Sequence, residues 1–218
     1  MTVSTSSLTS GGLVEESFDT ASVEAPAGSL LALWLTDNDG LTPSVSGLGL
    51  TWTVTDSVSY TFGHLVLVTA SVGDSEVSGA ISVSYSSNAA VAYDLDCVSG
   101  DDGETLAFGV SALGAQVNSG GAGNASLTFA GGPAFYLFGS AAAYSGNFSA
   151  SPAESPTAWT RLAFVQAYIG GGDFVAVALE TEVSPDASNP NALTDWSGTD
   201  WEADGGGQGA IGIPVSVS

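Results

Sequence analysis

Apolar and polar positions along this chain alternate, or run as short blocks of Val, Leu, Ala and aromatic residues; no sustained i, i+3, i+4 spacing with helix caps occurs. SLLALWLT (29–36), LTWTVTDSV (50–58), HLVLVTASV (64–72), AISVSYS (80–86) and AVAYDLDCVS (90–99) read as strands. So do ETLAFGVSAL (104–113), ASLTFA (125–130), AFYLFGSAAA (134–143), TRLAFVQAY (160–168), FVAVALETEV (174–183) and AIGIPVSV (210–217). Turn-forming clusters separate them: DNDG, SGLG, SSN, SGDDG, NSGGAGN, GGGD and PDASNPN. The pattern predicts an all-β fold, a jelly-roll-like β-sandwich with almost no helix.

The strands also echo one another. VEAPAGSLLALWLT, LTWTVTDSV, HLVLVTASV and NAAVAYDLDCVS are followed, in the same order, by SLTFAGGPAFYLFG, TAWTRLAFV, DFVAVALETEV and QGAIGIPVSVS. Gly28 lies 24 positions before Trp52, and Gly132 lies 27 before Trp159. Two similar halves, about 18–99 and 125–218, are therefore expected to share one core, because neither four-strand unit can bury its inner face alone. Residues 1–17, polar and rich in Ser and Thr, are expected to form an arm outside that single domain. In this alignment Arg161 stands where Val54 stands in the first half. A salt bridge at the sheet surface is its expected role, with Glu180 or Asp173 as the carboxylate.

Composition sharpens the picture. Arg161 is the only basic residue among Lys and Arg, against 23 acids, for a net charge of −22. Hydrophobic residues make up 44% of the chain, which separates it from acidic disordered segments. Carboxylates without lysine suit a protein that works in concentrated salt. There the Debye length falls to about 3 Å and like charges barely repel, while carboxylates keep water at the surface. Nucleic acid is excluded as a partner, since no basic patch is available to neutralise phosphates. Cys97 is single, so neither an internal disulfide nor a thiolate metal cluster is expected. The first residues carry no basic and apolar signal, and no apolar run nears the length of a membrane span. Synthesis in a host cytoplasm without a signal peptide, and no membrane partner, are expected.

Pro26-Ala27-Gly28 leading into an apolar strand, the Trp52-Thr53 strand start and the closing Ala92-Tyr93 pair form a recognisable order. It resembles the surface β-sandwich domains of tailed-virus virion proteins, over roughly residues 18–217. The sequence departs from that pattern at Asp94 and Leu95, where Arg-Gly is frequent, and around AFYLFG, where the second half is shortened. With the composition, the resemblance implies a structural protein on the virion of a virus infecting a haloarchaeon: a head decoration, a vertex turret or a tail-fibre module. Members of this kind are often homo-oligomers that touch the host surface. A trimer or a ring at a capsid vertex is expected, with other virion proteins and a host glycan or glycoprotein as partners.

Candidate sites are few. DNDG (37–40) and GDDGE (100–104) hold closely spaced oxygen ligands, but lack the alternation and distal Glu of a calcium loop; turn chemistry accounts for the same residues. DWSGTDWEADGGG (195–207) carries Trp196 and Trp201 five apart among four acids. It reads either as an exposed aromatic platform for a sugar or partner subunit, or as a loop folding its tryptophans onto the sandwich edge. SAAAYSGNFSA (140–150) is a second contact candidate. His64 has no second His and no nucleophile motif beside it, so no Ser-His-Asp triad is expected. Asn124-Ala-Ser126 and Asn147-Phe-Ser149 match the glycosylation sequon by accident of composition. No catalytic residue, cofactor or metal is expected. The competing reading is a secreted haloarchaeal sugar-binding or sugar-cleaving sandwich, which calls for a leader segment and a cleft of convergent acids.

Overall fold

β-Branched and aromatic runs broken by Gly, Asn and Asp satisfy their backbone by pairing with neighbours rather than within a segment. The computed structural model follows that logic over the residues it describes: 3–101, 103–117, 125–127, 135–143, 159–168, 175–184, 193–194 and 207–218. No helix occurs among them. The first half forms β1 (Ser4–Asp19), β2 (Val23–Ala25), β3 (Leu30–Asp37), β4 (Ser44–Gly47), β5 (Thr53–Tyr60), β6 (Gly63–Ser71), β7 (Val77–Gly79) and β8 (Ile81–Ser99). The second forms β9 (Leu106–Phe108), β10 (Ala112–Val117), β11 (Ala125–Ser126), β12 (Phe135–Ala143), β13 (Thr160–Tyr168), β14 (Val175–Ser184), β15 (Leu193–Thr194) and β16 (Gly207–Val217).

Each half builds one antiparallel sheet. The N-sheet runs β1-β8-β3-β6-β5, with β4 also on β8; the C-sheet runs β10-β16-β12-β14-β13, with β9 also on β16. The two orders are the same: first strand at one edge, last strand next to it, then the second, fourth and third. Even the two-stranded ribbons correspond, β2 with β7 in one half and β11 with β15 in the other. Across the sandwich β1 meets β13 while β5 meets β10, β8 meets β14 while β16 meets β6, and β3 meets β14 while β12 meets β6. Swapping the halves leaves this set unchanged, which is the self-complementary pattern of a two-fold interface.

Trp52 and Trp159 precede equivalent strands, as the echo predicts. The equivalence reaches the irregularities: register slips between Val54 and Asp56 in β5, and between Arg161 and Ala163 in β13. Thr55 and Leu162 are the extra residues of two matching bulges. Both sit on outer strands, where a bulge twists the free edge away from pairing with another chain.

The strands differ from the sequence reading at several places, among them the short β2, β4, β7 and β15, which it did not give. Residues 4–19, expected within or next to an arm, form edge strand β1, hydrogen-bonded along β8. An edge strand has one neighbour and needs few apolar residues; Leu8, Leu13 and Phe18 are half-buried against the N-sheet's outer apolar layer. The repeating unit is accordingly one strand longer at its start, with β1 and β10 in equivalent places. The segments expected as two strands at 80–86 and 90–99 are one long β8, and 104–113 divides into β9 and part of β10.

Leu30, Trp34, Leu65, Leu137, Leu179 and Ile213 belong to the core between the sheets. A second apolar layer covers the outside of the N-sheet, where Leu31, Leu33, Leu35, Val66 and Val68 lie beneath Val23, Ala25, Val45, Leu48 and Trp52. Strands β3 and β12 are thus buried on both faces, which is why they read as continuous apolar runs rather than alternations. Burying each such large side chain stabilises the fold by about 1.5–3 kcal/mol.

Candidate functional site

The two halves serve as internal controls for each other. Side chains on alternate positions share a face, so the outer faces can be compared strand by strand. In the N-sheet the middle of that face is apolar: Leu33 and Leu35 on β3, Val66 and Val68 on β6, Val91 and Leu95 on β8. In the C-sheet the corresponding strands carry Ser140 on β12, Glu180 and Glu182 on β14, and Gln208 on β16, all buried. Phe138, Tyr136, Trp159, Leu127 and Ala210 form a smaller apolar cluster alongside, with Phe138 and Trp159 ring centroids 5.6 Å apart. The same fold is therefore built once with an apolar outer face and once with a polar one.

Arg161 belongs to this polar face. Its Nε donates to Glu180 Oε1, so one of the two expected carboxylates is its partner; Asp173 lies outside the described residues. Arg161 stands directly opposite Glu182 in the β13–β14 register. Its side chain keeps 38% exposure while that of Glu180 keeps 4%. Burial raises the Glu180 pKa to about 7; the Arg161 hydrogen bond pulls it down, and neighbouring Glu182 pushes it further up. The chain's one arginine is placed where two carboxylates are withdrawn from water.

A second acidic cluster lies in the seam between the sheets. Asp94 and Asp96, two apart on β8, point into the core and are fully buried. Trp34 Nε1 donates to Asp96 Oδ2 at 2.9 Å, Ser7 Oγ to Asp94 Oδ1 at 2.5 Å, and Thr181 Oγ1 of the C-sheet to Asp94 Oδ2 at 2.6 Å. Burial raises both pKa values, that of Asp96 well above the ordinary range, and the negative charge of Asp94 raises Asp96 further. Asp96 Oδ1 has no hydrogen-bond partner among the described residues, and protonation of one carboxyl relieves the repulsion between the two. It avoids placing two bare charges in an apolar interior, each of which costs several kcal/mol even after relaxation.

The remaining candidates resolve into turn and strand chemistry. Asp37 Oδ1 accepts the backbone N–H groups of Asp39 and Leu41, closing the DNDG turn. His64 pairs with Asp37 across β6 and β3, and its Nδ1 lies 3.0 Å from the Leu41 carbonyl and 3.8 Å from Asp37 Oδ2. Glu104 Oε2 accepts the Asp101 N–H in the second acidic turn. Cys97 is buried, and burial raises its thiol pKa. Trp196, Trp201, Asn124 and Asn147 lie outside the described residues. Ser140 to Ala143, the start of the second contact candidate, are buried in β12, so they offer no exposed contact. Among the described residues no group of three or more His, Cys, Asp or Glu converges as metal ligands.

Alternation alone does not single out Asp94, Asp96, Glu182, Ser140 or Gln208 as site residues. The one available signal is acids at i, i+2 inside apolar strands, DLD in β8 and ETE in β14, a spacing that puts both on one face. No family model, curated protein or solved structure matches the chain, so its functional reading rests on these residues and this fold.

Proposed function

We propose that this chain is a non-enzymatic structural protein displayed on the surface of a tailed virus of a halophilic archaeal host, as a capsid decoration or vertex turret. The observation that carries the reading is a duplicated, bulge-edged β-sandwich built with a single basic residue against 23 acids. A body of this kind suits outward display in molar salt, where its charge is screened and its carboxylates hold water. The order of the Pro26-Ala27-Gly28 turn, the Trp52-Thr53 strand start and the Ala92-Tyr93 strand supports the virion family over other sandwiches. Closed cyclic symmetry is the usual way such subunits assemble, and other virion proteins and a host surface glycan are the proposed partners.

Particles purified in high salt test the proposal. Mass spectrometry should find the chain among their proteins, and antibodies against the folded sandwich should label intact particles. Its absence from particles, with the protein recovered instead as a secreted monomer that binds sugar, overturns the reading in favour of a carbohydrate-binding module.

A further inference from the structure

Among the described residues four strands end the two sheets: β1 and β5 in the N-sheet, β10 and β13 in the C-sheet. Three of them are blunted. Register slips interrupt β1, β5 and β13, and each carries charge: Glu15, Glu16 and Asp19 on β1, Asp56 on β5, Arg161 on β13. Bulges and charged side chains are the means by which a sheet edge avoids pairing with another chain. Strand β10 has neither. It pairs with β16 through six consecutive residues without a slip, and none of the six, ALGAQV, is charged.

This edge is also apolar where its twin is not. Leu113 stands opposite Ile211, a core residue, and so shares the core-facing side of the sheet. Standing at the rim, it is nevertheless 48% exposed. Rows counted across the sheets from the residue after each matching bulge, Asp56 in one half and Ala163 in the other, end at Ser10 and at Leu113. The duplicated fold thus builds the same rim with an exposed hydroxyl, so it does not require the leucine. Val110, just before β10, is 89% exposed. The acid of the facing edge strand is engaged, because Ser111 Oγ donates to Asp56 Oδ2 at 2.5 Å. We propose that β10 receives a second copy of this chain: two β10 strands pair antiparallel about a two-fold axis, joining the C-sheets and burying Leu113 and Val110 of both copies.

Charge selects the occupant. The chain carries −22, so a second copy approaching by an acidic face sets carboxylates against carboxylates. Strand β10 against β10 brings none from either side, and a two-fold contact needs only one self-complementary patch. Concentrated salt strengthens apolar association and favours the pairing further. This contact gives a surface to the closed assembly in the proposed function, and it rests on that reading for its place on a particle. The pairing itself is measured on the isolated protein.

Sedimentation equilibrium of the whole chain in molar KCl tests it. The mass should rise with concentration to twice the 21.6 kDa of one chain. Leu113→Ser, which copies the other half, should weaken association by about 100-fold, since two buried leucines are lost per pair. Leu113→Lys should leave a monomer, whereas Tyr168→Ser, at an exposed aromatic on β13, should leave the dimer unchanged. Amide hydrogen exchange on the unaltered protein provides a second readout that needs no variant: the β10 amides should gain protection as the dimer forms. A monomer at every concentration, a trimer or larger ring, a dimer that survives Leu113→Lys, a dimer lost in Tyr168→Ser, or β10 exchange that ignores concentration each overturns the proposal. A dimer held by β10 in a chain absent from particles upholds the pairing and counts against the virion reading alone.

Discussion

Trp34 lies against the backbone of Gly139: a Cβ built on Gly139 would stand 2.3 Å from Trp34 Cε3. The central strand of the N-sheet thus contributes its largest side chain where the central strand of the C-sheet contributes none. The pseudo-symmetric sandwich closes at its middle by pairing a large residue with a small one.

Gly139→Ala should therefore be costly although alanine is the smallest replacement. The methyl group meets an indole held by its hydrogen bond to Asp96, and overfilling of this kind destabilises by about 1–3 kcal/mol. Urea unfolding followed by tryptophan fluorescence measures it. An unchanged midpoint would show that the sheets are further apart at this point than the structure has them.

Stability should rise as pH falls through the folded values of the buried Asp94 and Asp96 toward the ordinary carboxylate range, at constant salt. Asp94 and Asp96 have folded pKa values above the ordinary 3.8, so the folded state holds more protons than the unfolded one over that interval. Their contribution is complete below the ordinary value and is lost as pH rises through the folded values. Asp96→Asn keeps an oxygen for Trp34 Nε1 and cannot ionise, so it should lessen the slope, while Glu180, raised to about 7, keeps its own share. Urea midpoints of both proteins at three pH values decide the matter, and a pair of parallel curves would count against Asp96 as a titrating group.

Removing Arg161 should expose the cost of the buried acids. Arg161→Met leaves Glu180 without its ion partner; breaking a fully buried pair costs about 3–5 kcal/mol, and the half-open arginine here reduces that to about 2 kcal/mol. Adding Glu180→Gln should recover most of the loss, because no charge then remains unpaired at that position. A double variant as unstable as the single one would show that Arg161 acts through packing of its stem instead.

The fold should loosen as salt is withdrawn. With 23 acids and one arginine, the carboxylates repel over about 30 Å at 0.01 M salt and about 3 Å at 1 M. Melting temperatures in molar KCl and in dilute buffer should differ by many degrees. Equal values would remove the halophilic element of the proposed function.

By itself the sequence determined the fold class and the duplication, and narrowed the partner of its one arginine to Glu180 or Asp173. Alternation at period two marks strands and tells which residues share a face, and the echo of Trp52-Thr53 in Trp159-Thr160 is enough to set Arg161 on the strand that lies beside β14. Tertiary structure alone decided which faces are covered. Asp19 and Asp94 are the same residue type in similar strand surroundings. Asp19, on edge strand β1, meets Ser82 near the surface, whereas Asp94, on β8 beneath the C-sheet, is sealed against Thr181. Strand β1 is hard to read from pattern for a related reason: an edge is held by one neighbour's backbone, which leaves little trace in the side chains. Whether an acid stands in water or in a core depends on what a distant segment lays over it, and no local pattern encodes that.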